Sequence, residues 1–240
     1  MKKHLILLFL VIFSVCNSFA QTVTIGTQTW TTKNLDVATF RNGDPIPEAK
    51  TDEEWKAAGK NKQPAWCYYD NKAANGNKYG KLYNWYAVVD ARGLAPIGYH
   101  IPTDDEWTVL STFLGGEDVA GKKMKSRSGW NSYKDTCSNC KSWNDESREK
   151  KVCDVCKDTR INGKKTFSGN GTNSIGFSGL PVGYRFFKGF NPDGEYGNWW
   201  TISESDESSA WGRGLSYSSP VLVRFNYLKY LGFSVRCVKD

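Results

Sequence analysis

Histidine is nearly missing from this 240-residue sequence, occurring only at His4 and His100. His4 falls inside an apolar leader, which leaves His100 alone. A Ser-His-Asp triad needs a positioned base and an orienting acid, and nothing around His100 supplies them. A site of two histidines and one carboxylate cannot be built from one such chain. His100 precedes Ile101-Pro102 at a helix entry, where a packing or capping role is expected. Long apolar runs are lacking after the leader, so no transmembrane segment is expected. A dense basic block is lacking too. The 32 Lys and Arg are scattered among 25 Asp and Glu, for a net charge of +7. That is a solvated surface, and no nucleic-acid partner is expected. "GFSGLPVGYR" (176–185) has glycines but no following Lys-Ser/Thr and no helix signal, so it is not a phosphate loop.

What is present begins with "MKKHLILLFLVIFSVCNSFAQ". Lys2 and Lys3 precede a short apolar core, and Ser18-Phe19-Ala20 gives a small-x-small cleavage pattern before Gln21. Residues 1–20 therefore read as a signal peptide and 21–240 as one mature domain, exported to the periplasm, cell surface or medium. The core is too short for an ordinary membrane-spanning helix. Lipid anchoring through Cys16 is disfavoured, because a small residue should precede the cysteine and Val15 stands there.

Loss of Cys16 leaves six cysteines, and export makes disulfides the default expectation. Four lie in "CSNCKSWNDESREKKVCDVC", as Cys137, Cys140, Cys153 and Cys156. Two Cys-x-x-Cys knuckles suit a closed, structural tetrahedral zinc site, with Lys141, Lys150, Lys151 and Lys157 offsetting the thiolate charge. The spacing favours zinc and the compartment favours disulfides, so both stand. A redox role wants a βαβ setting that the sequence does not offer. On either structural reading the cluster staples the stretch 129–169, a polar, Cys-rich insertion too poor in apolar residues to order itself. Cys67 and Cys237 remain. A disulfide between them is expected, tying the last strand to the middle of the domain. The alternative is two buried thiols behaving as small hydrophobes.

Two helices announce themselves. "TDEEWKAAG" (51–59) and "TDDEWTVLSTFLGG" (103–116) each open on Thr with Glu three residues on, the pattern of a capping box. The carboxylates Asp52, Glu53, Glu54, Asp104, Asp105 and Glu106 complement the helix dipoles there and are not read as acid–base pairs. Trp107, Leu110 and Leu114 mark the buried face of the second helix. Residues 117–126 read as a third, short helix. The segments 22–26, 33–40, 64–70 and 81–89 read as strands or extended pieces. So do 196–204, 209–217, 221–227 and 232–240, the last as a half-buried strand. The fold class is α+β.

Ten Trp, 12 Tyr and 12 Phe are the remaining resource for recognition. Trp199 and Trp200 are adjacent, so on a strand one faces the core and the other faces out. Trp211 and Arg213 share a face, and with Tyr217 they could stack on a sugar or grip a protein loop. The competing reading is that these rings complete the core. "WND" (143–145) is taken as coincidence, and "NPDGEYGN" (191–198) as a polar turn in preference to a calcium loop.

The landmarks "WTTKNLDVATFRNGDPIP" (30–47), "AWCYYDN" (65–71), "YGKLYNWYAV" (79–88) and "LAPIGYHIPTDDEWTVL" (94–110) resemble the Fibrobacter succinogenes major paralogous domain family. "GTNSIGFSGLPVGYR" (171–185), "WWTISE" (199–204) and "GFSVRCVKD" (232–240) continue the likeness. The resemblance implies an exported or surface protein. It also implies a C-type-lectin-like domain, similar to the formylglycine-generating proteins. In that fold two main helices flank a short, twisted, mostly antiparallel sheet with the terminal strands together. The insertion is a departure to which the resemblance carries no role. Those enzymes use a reactive cysteine pair near the C-terminus, where this chain has only Cys237, which puts that activity in doubt. The expected function is thus a non-enzymatic binding or adhesion module for an extracellular glycan or surface protein. A metal-dependent enzyme and a purely structural surface protein are the alternatives.

Overall fold

The computed structural model describes residues 21–136 and 164–240. In chain order these form β1 (Thr22–Ile25), β2 (Gln28–Thr31), α1 (Asp52–Lys60), β3 (Trp66–Cys67), α2 (Gly76–Tyr79), β4 (Leu82–Tyr83) and α3 (Trp85–Val88). Next come β5 (Tyr99–His100), α4 (Asp104–Phe113), α5 (Glu117–Met124), β6 (Ser132–Thr136) and β7 (Lys164–Ser168). The chain ends with β8 (Tyr184–Arg185), β9 (Phe190–Asn191), β10 (Tyr196–Glu204), β11 (Ser209–Ser216), β12 (Leu222–Leu228) and β13 (Val238–Lys239). The architecture is α+β with small antiparallel sheets. One has strand order β1-β2-β13-β5 and another β10-β11-β12, and three pairs complete the set.

Both capping boxes form. The Thr51 hydroxyl accepts from the Glu54 amide at 3.1 Å, and the Glu54 carboxylate accepts from the Thr51 amide at 3.0 Å. Thr103 and Glu106 repeat the exchange at 3.1 and 2.8 Å. Gly115 and Gly116 then stop the chain after α4 at φ +96° and +100°, where a side chain would be strained. Trp107, Leu110 and Leu114 are buried as their spacing requires.

Elsewhere the chain is less regular than its pattern suggests. Residues 33–40 carry no strand, only a bridge from Thr39 to Pro45. The stretch 81–89 divides into β4 and α3, because the Asn84 side chain accepts from the Ala87 amide and caps a helix there. The closing segment was expected to alternate, yet Leu231 through Val238 are all buried. It runs through the middle of the molecule, bridging Tyr83, Arg185, Trp199 and β2 in turn. Arg236 is fully buried there. Its guanidinium donates to Asn34 Oδ1 at 2.7 Å and to the carbonyls of Thr31, Phe177 and Ser178 at 2.7 to 3.1 Å. Burial pushes it down to about 9, which leaves it a cation at neutral pH.

The core gathers round aromatic rings. Trp30, Trp107, Phe177 and Trp199 pack edge-on or tilted in one cluster. Tyr83, Trp200 and Phe233 centre a second. Trp55, Cys67 and Leu82 belong to a third. Among the described residues no helix is long and apolar enough to cross a membrane.

Candidate aromatic groove

The meander β10-β11-β12 builds an open surface walled by aromatic rings, and its strand register explains why. Trp200 pairs with Gly212, Asn198 with Gly214 and Tyr196 with Ser216. Gly212 in turn pairs with Phe225, Gly214 with Val223 and Ala210 with Tyr227. Directly paired residues share a face. One face therefore carries Ala210, Gly212, Gly214 and Ser216 along its middle strand, with Tyr196, Asn198, Trp200, Val223, Phe225 and Tyr227 on its flanks. Small residues between large ones make a trough.

Tyr227 and Trp200 close one end of it. A Cβ on Gly212 would meet the Tyr227 ring at 2.9 Å. Past Gly214 the trough stays open, as a groove of about 310 Å³ walled by Tyr184, Tyr196, Phe225 and Tyr227. Tyr184 reaches it from β8 and packs against Phe186, with centroids 4.7 Å apart. Phe225 is 54% exposed, a large apolar ring left in water. On the floor, Asn198 is 4% exposed, and its amide oxygen and the Tyr227 hydroxyl both lie beside Gly214. No charged side chain lines the groove. Burial pushes the Tyr227 phenol up to about 12, and the nearby Tyr184 adds to this. Burial, then Tyr196, raises Tyr184. Both remain neutral hydroxyls, able to donate or accept.

The opposite face holds Trp199, Trp211, Arg213 and Tyr217, all but Trp200 of the residues singled out from sequence, and their roles differ from expectation. Trp199 and Trp200 do point to opposite faces, but both are 0% exposed, because the sheet is covered on both sides at that level. Neither can meet a ligand. Arg213 is fully buried and is a structural tie. It donates to the Asp104 carboxylate at 2.8 Å, to Glu117 at 2.5 Å and to the Thr108 hydroxyl at 2.9 Å. Trp211 is half-buried, with the Arg224 guanidinium 3.4 Å above its ring, and Arg224 also reaches Asp104 at 2.7 Å. Tyr217 packs edge-on against Tyr133 beside the core. Trp211 and Arg213 share a face as expected, but that face docks on α4.

Cys67 and Cys237 are free thiols in this structure, so the expected disulfide is not formed. They belong to different core clusters, and each packs as a small apolar side chain. Burial pushes both up to about 12, which keeps the thiolate scarce at neutral pH. Cys137, Cys140, Cys153 and Cys156 lie outside the described residues. Strands β6 and β7, which pair on either side of that stretch, do form a two-stranded ladder.

A second cleft, of about 640 Å³, lies along residues 31–37 with Cys237 among its walls. Two of its central polar groups, Asn34 and Asp36, are already engaged, and Lys33 gives it a charged wall. The Asn34 amide donates to Tyr79 O and Ser234 Oγ, its oxygen accepts from Trp199 and Arg236, and Asp36 holds Lys81. The groove at Asn198 sets an amide among aromatic rings with no charge in its lining, which makes it the better ligand site.

A family model described as the Fibrobacter succinogenes major domain matches residues 23–239. The chain belongs to this family. The match takes in the whole described body, including the three strands of the groove. No curated protein and no solved structure is significantly similar to the chain. As a member of the Fibrobacter succinogenes major domain family it inherits no assigned chemistry, so a function must be argued from the groove itself.

Proposed function

We propose that this protein is an exported, non-enzymatic binding or adhesion module whose groove takes an extracellular glycan or a surface protein. The carrying observation is the uncharged trough at Gly214, walled by Tyr184, Tyr196, Phe225 and Tyr227. Its volume is near the lower end of small-ligand sites, roughly 300–1,000 Å³. The leader supports export. A C-type-lectin-like plan for the body is supported by the pairing of β2 with β13, which brings the two ends together, and by the capped helices α1 and α4. The four-cysteine cluster serves as a staple, by zinc or by disulfides, and elemental analysis with a thiol count separates the two. The enzyme reading is weakened by the burial of Cys67 and Cys237, since a nucleophilic thiol needs access and a lowered pKa.

The test is a screen of the exported protein against glycan and surface-protein arrays, with groove and control variants. Gly214→Val places a branched side chain in the groove at a strand position and is expected to abolish binding. Phe225→Ala removes an exposed wall without touching the core and is expected to weaken it. Trp211→Ala, on the opposite face, is expected to leave binding intact. Binding that ignores both groove variants, or no binding on either array, overturns the reading.

A further inference from the structure

Resting on that reading, we infer that the groove selects a neutral pyranose ring, held flat against Phe225 and the tyrosines with its hydroxyls directed to Asn198. Three features of the site lead there.

The first is charge. A carboxylated or sulfated sugar needs a cation, and an acidic or basic peptide needs a counter-charge, but the groove lining carries none. Along β12, Arg224 and Asn226 alternate with Val223, Phe225 and Tyr227, and Arg224 is turned to Asp104 and Trp211 on the other face. An ion entering the groove would lose water without gaining a partner.

The second is the state of the backbone. An extended peptide is usually held by main-chain bonds along a free strand edge. Here the floor is β11, whose residues are paired on both sides, Gly214 with Asn198 and with Val223. The sheet's free ladder lies on the outer side of the edge strand β12, beyond the Phe225 wall, so on the floor of the groove recognition falls to side chains.

The third is the polar inventory. Asn198 offers two donors and an acceptor at the floor. A Cβ on Gly214 would sit 3.3 Å from both Asn198 Oδ1 and Tyr227 Oη, so these two polar groups converge where only glycine leaves room. A ligand hydroxyl placed there can bond both the amide and the phenol. A pyranose ring meets both demands: its C–H face covers an aromatic ring, while its equatorial hydroxyls reach sideways to an amide and a phenol.

Calorimetry on the exported protein tests this. The probes are neutral oligosaccharides of glucose, mannose, galactose and xylose, set against polygalacturonate and heparin fragments. The expected result is binding of at least one neutral series, with little change from low to high salt because no ion pair is made. Asn198→Leu, which keeps the volume but not the amide, and Phe225→Ala are each expected to weaken it about tenfold. Unchanged urea midpoints show that the variants are folded. Preference for the acidic probes, strong salt dependence, or wild-type affinity in Asn198→Leu overturns the inference. Groove-dependent capture of a protein with no sugar bound also overturns it, while leaving the binding-module reading standing. Loss of groove-dependent binding to every probe and array overturns both.

Discussion

At the scale of single residues, buried cations do much of the work usually left to regular secondary structure. Arg185, Arg213 and Arg236 are fully buried, and Lys81, Lys125 and Lys229 nearly so. Arg185 and Arg236 gather oxygens from separate stretches of chain, while Lys81, Lys125 and Lys229 each clasp a single stretch. Lys125 holds the carbonyls of Ser216 and Ser219 at 2.8 and 2.9 Å and so fixes the β11–β12 turn at the open end of the groove. The Arg213–Asp104 pair is the clearest case, because Asp104 serves two arginines: its removal takes a partner from Arg224 and leaves the buried Arg213 with Glu117 as its one counter-charge. Asp104→Ala should therefore destabilise the protein by about 3 kcal/mol in urea unfolding. Lys50→Ala, which breaks only the exposed pair with Glu48, should change it by less than about 1 kcal/mol. The thiols make a second residue-level case. Cys67 and Cys237 should resist alkylation in the native state and react after unfolding, each located by peptide mass mapping. A peptide linked through both residues would restore the disulfide expected from sequence.

At the scale of elements, His100 joins three pieces of chain. From β5 its Nδ1 lies 2.8 Å from Asp240, beyond β13, and its Nε2 lies 2.7 Å from Glu106 in the first turn of α4. Burial disfavours the imidazolium, but the hydrogen bonds to Asp240 and Glu106 outweigh it, and the net shift is upward from 6.5. Glu106 shifts the other way. Burial would raise it, yet its bonds to Thr103 and His100 prevail and leave it below 4.5. A raised histidine contributes stability that is complete below its unfolded pKa and is lost as pH rises through the folded one. A lowered carboxylate contributes above its unfolded pKa and loses this as pH falls through the folded one. The bridge is strongest between about pH 4.5 and 6.5 and fades on either side. With a side chain 39% exposed, His100 contributes at most about 1 kcal/mol. His100→Gln should thus lower the urea midpoint near pH 5.5 and match the wild type well above neutral pH; equal deficits at both would refute the linkage.

The same scale shows what could be read in advance. Capping boxes are local, made by residues three apart, and both were legible with their helices. The strands β10, β11 and β12 were legible for the same reason, as aromatic runs broken by turns. The groove was not, because it depends on pairing between strands. Val223, Phe225 and Tyr227 alternate visibly, as do Ala210, Gly212 and Gly214, but only the register sets the glycines between the rings. Trp199, Trp200, Trp211, Arg213 and Tyr217, larger or more polar, stand out in the sequence instead, but the fold uses them for packing. The closing segment reads as half-exposed because Ser234 and Arg236 alternate with apolar residues, whereas the fold buries both and satisfies them with hydrogen bonds.

At the scale of the whole molecule, that closing segment decides whether there is a fold at all. Val238 pairs with Trp30 near the start of the described chain and with His100 at its middle. Phe233 exchanges backbone hydrogen bonds with Tyr83, and Gly232 does so with Arg185. The Phe233 ring also lies 4.4 Å from Trp200 and 4.7 Å from Tyr227, centroid to centroid, so it supports the wall of the groove from beneath. Contacts this distant in sequence form late and hold little until they close together. A chain lacking residues 232–240 should therefore lose its near-ultraviolet aromatic signal and its cooperative urea transition; a sharp transition in that variant would show that the earlier elements fold by themselves. Phe233→Ala, a lesser injury, should cost roughly 3–5 kcal/mol. Because the same ring backs Tyr227, ligand affinity should fall with it, even where enough stability remains for the protein to be folded. Core and groove share one set of aromatic side chains, and a ligand seated on the exposed rings should in turn raise the unfolding midpoint of the intact protein.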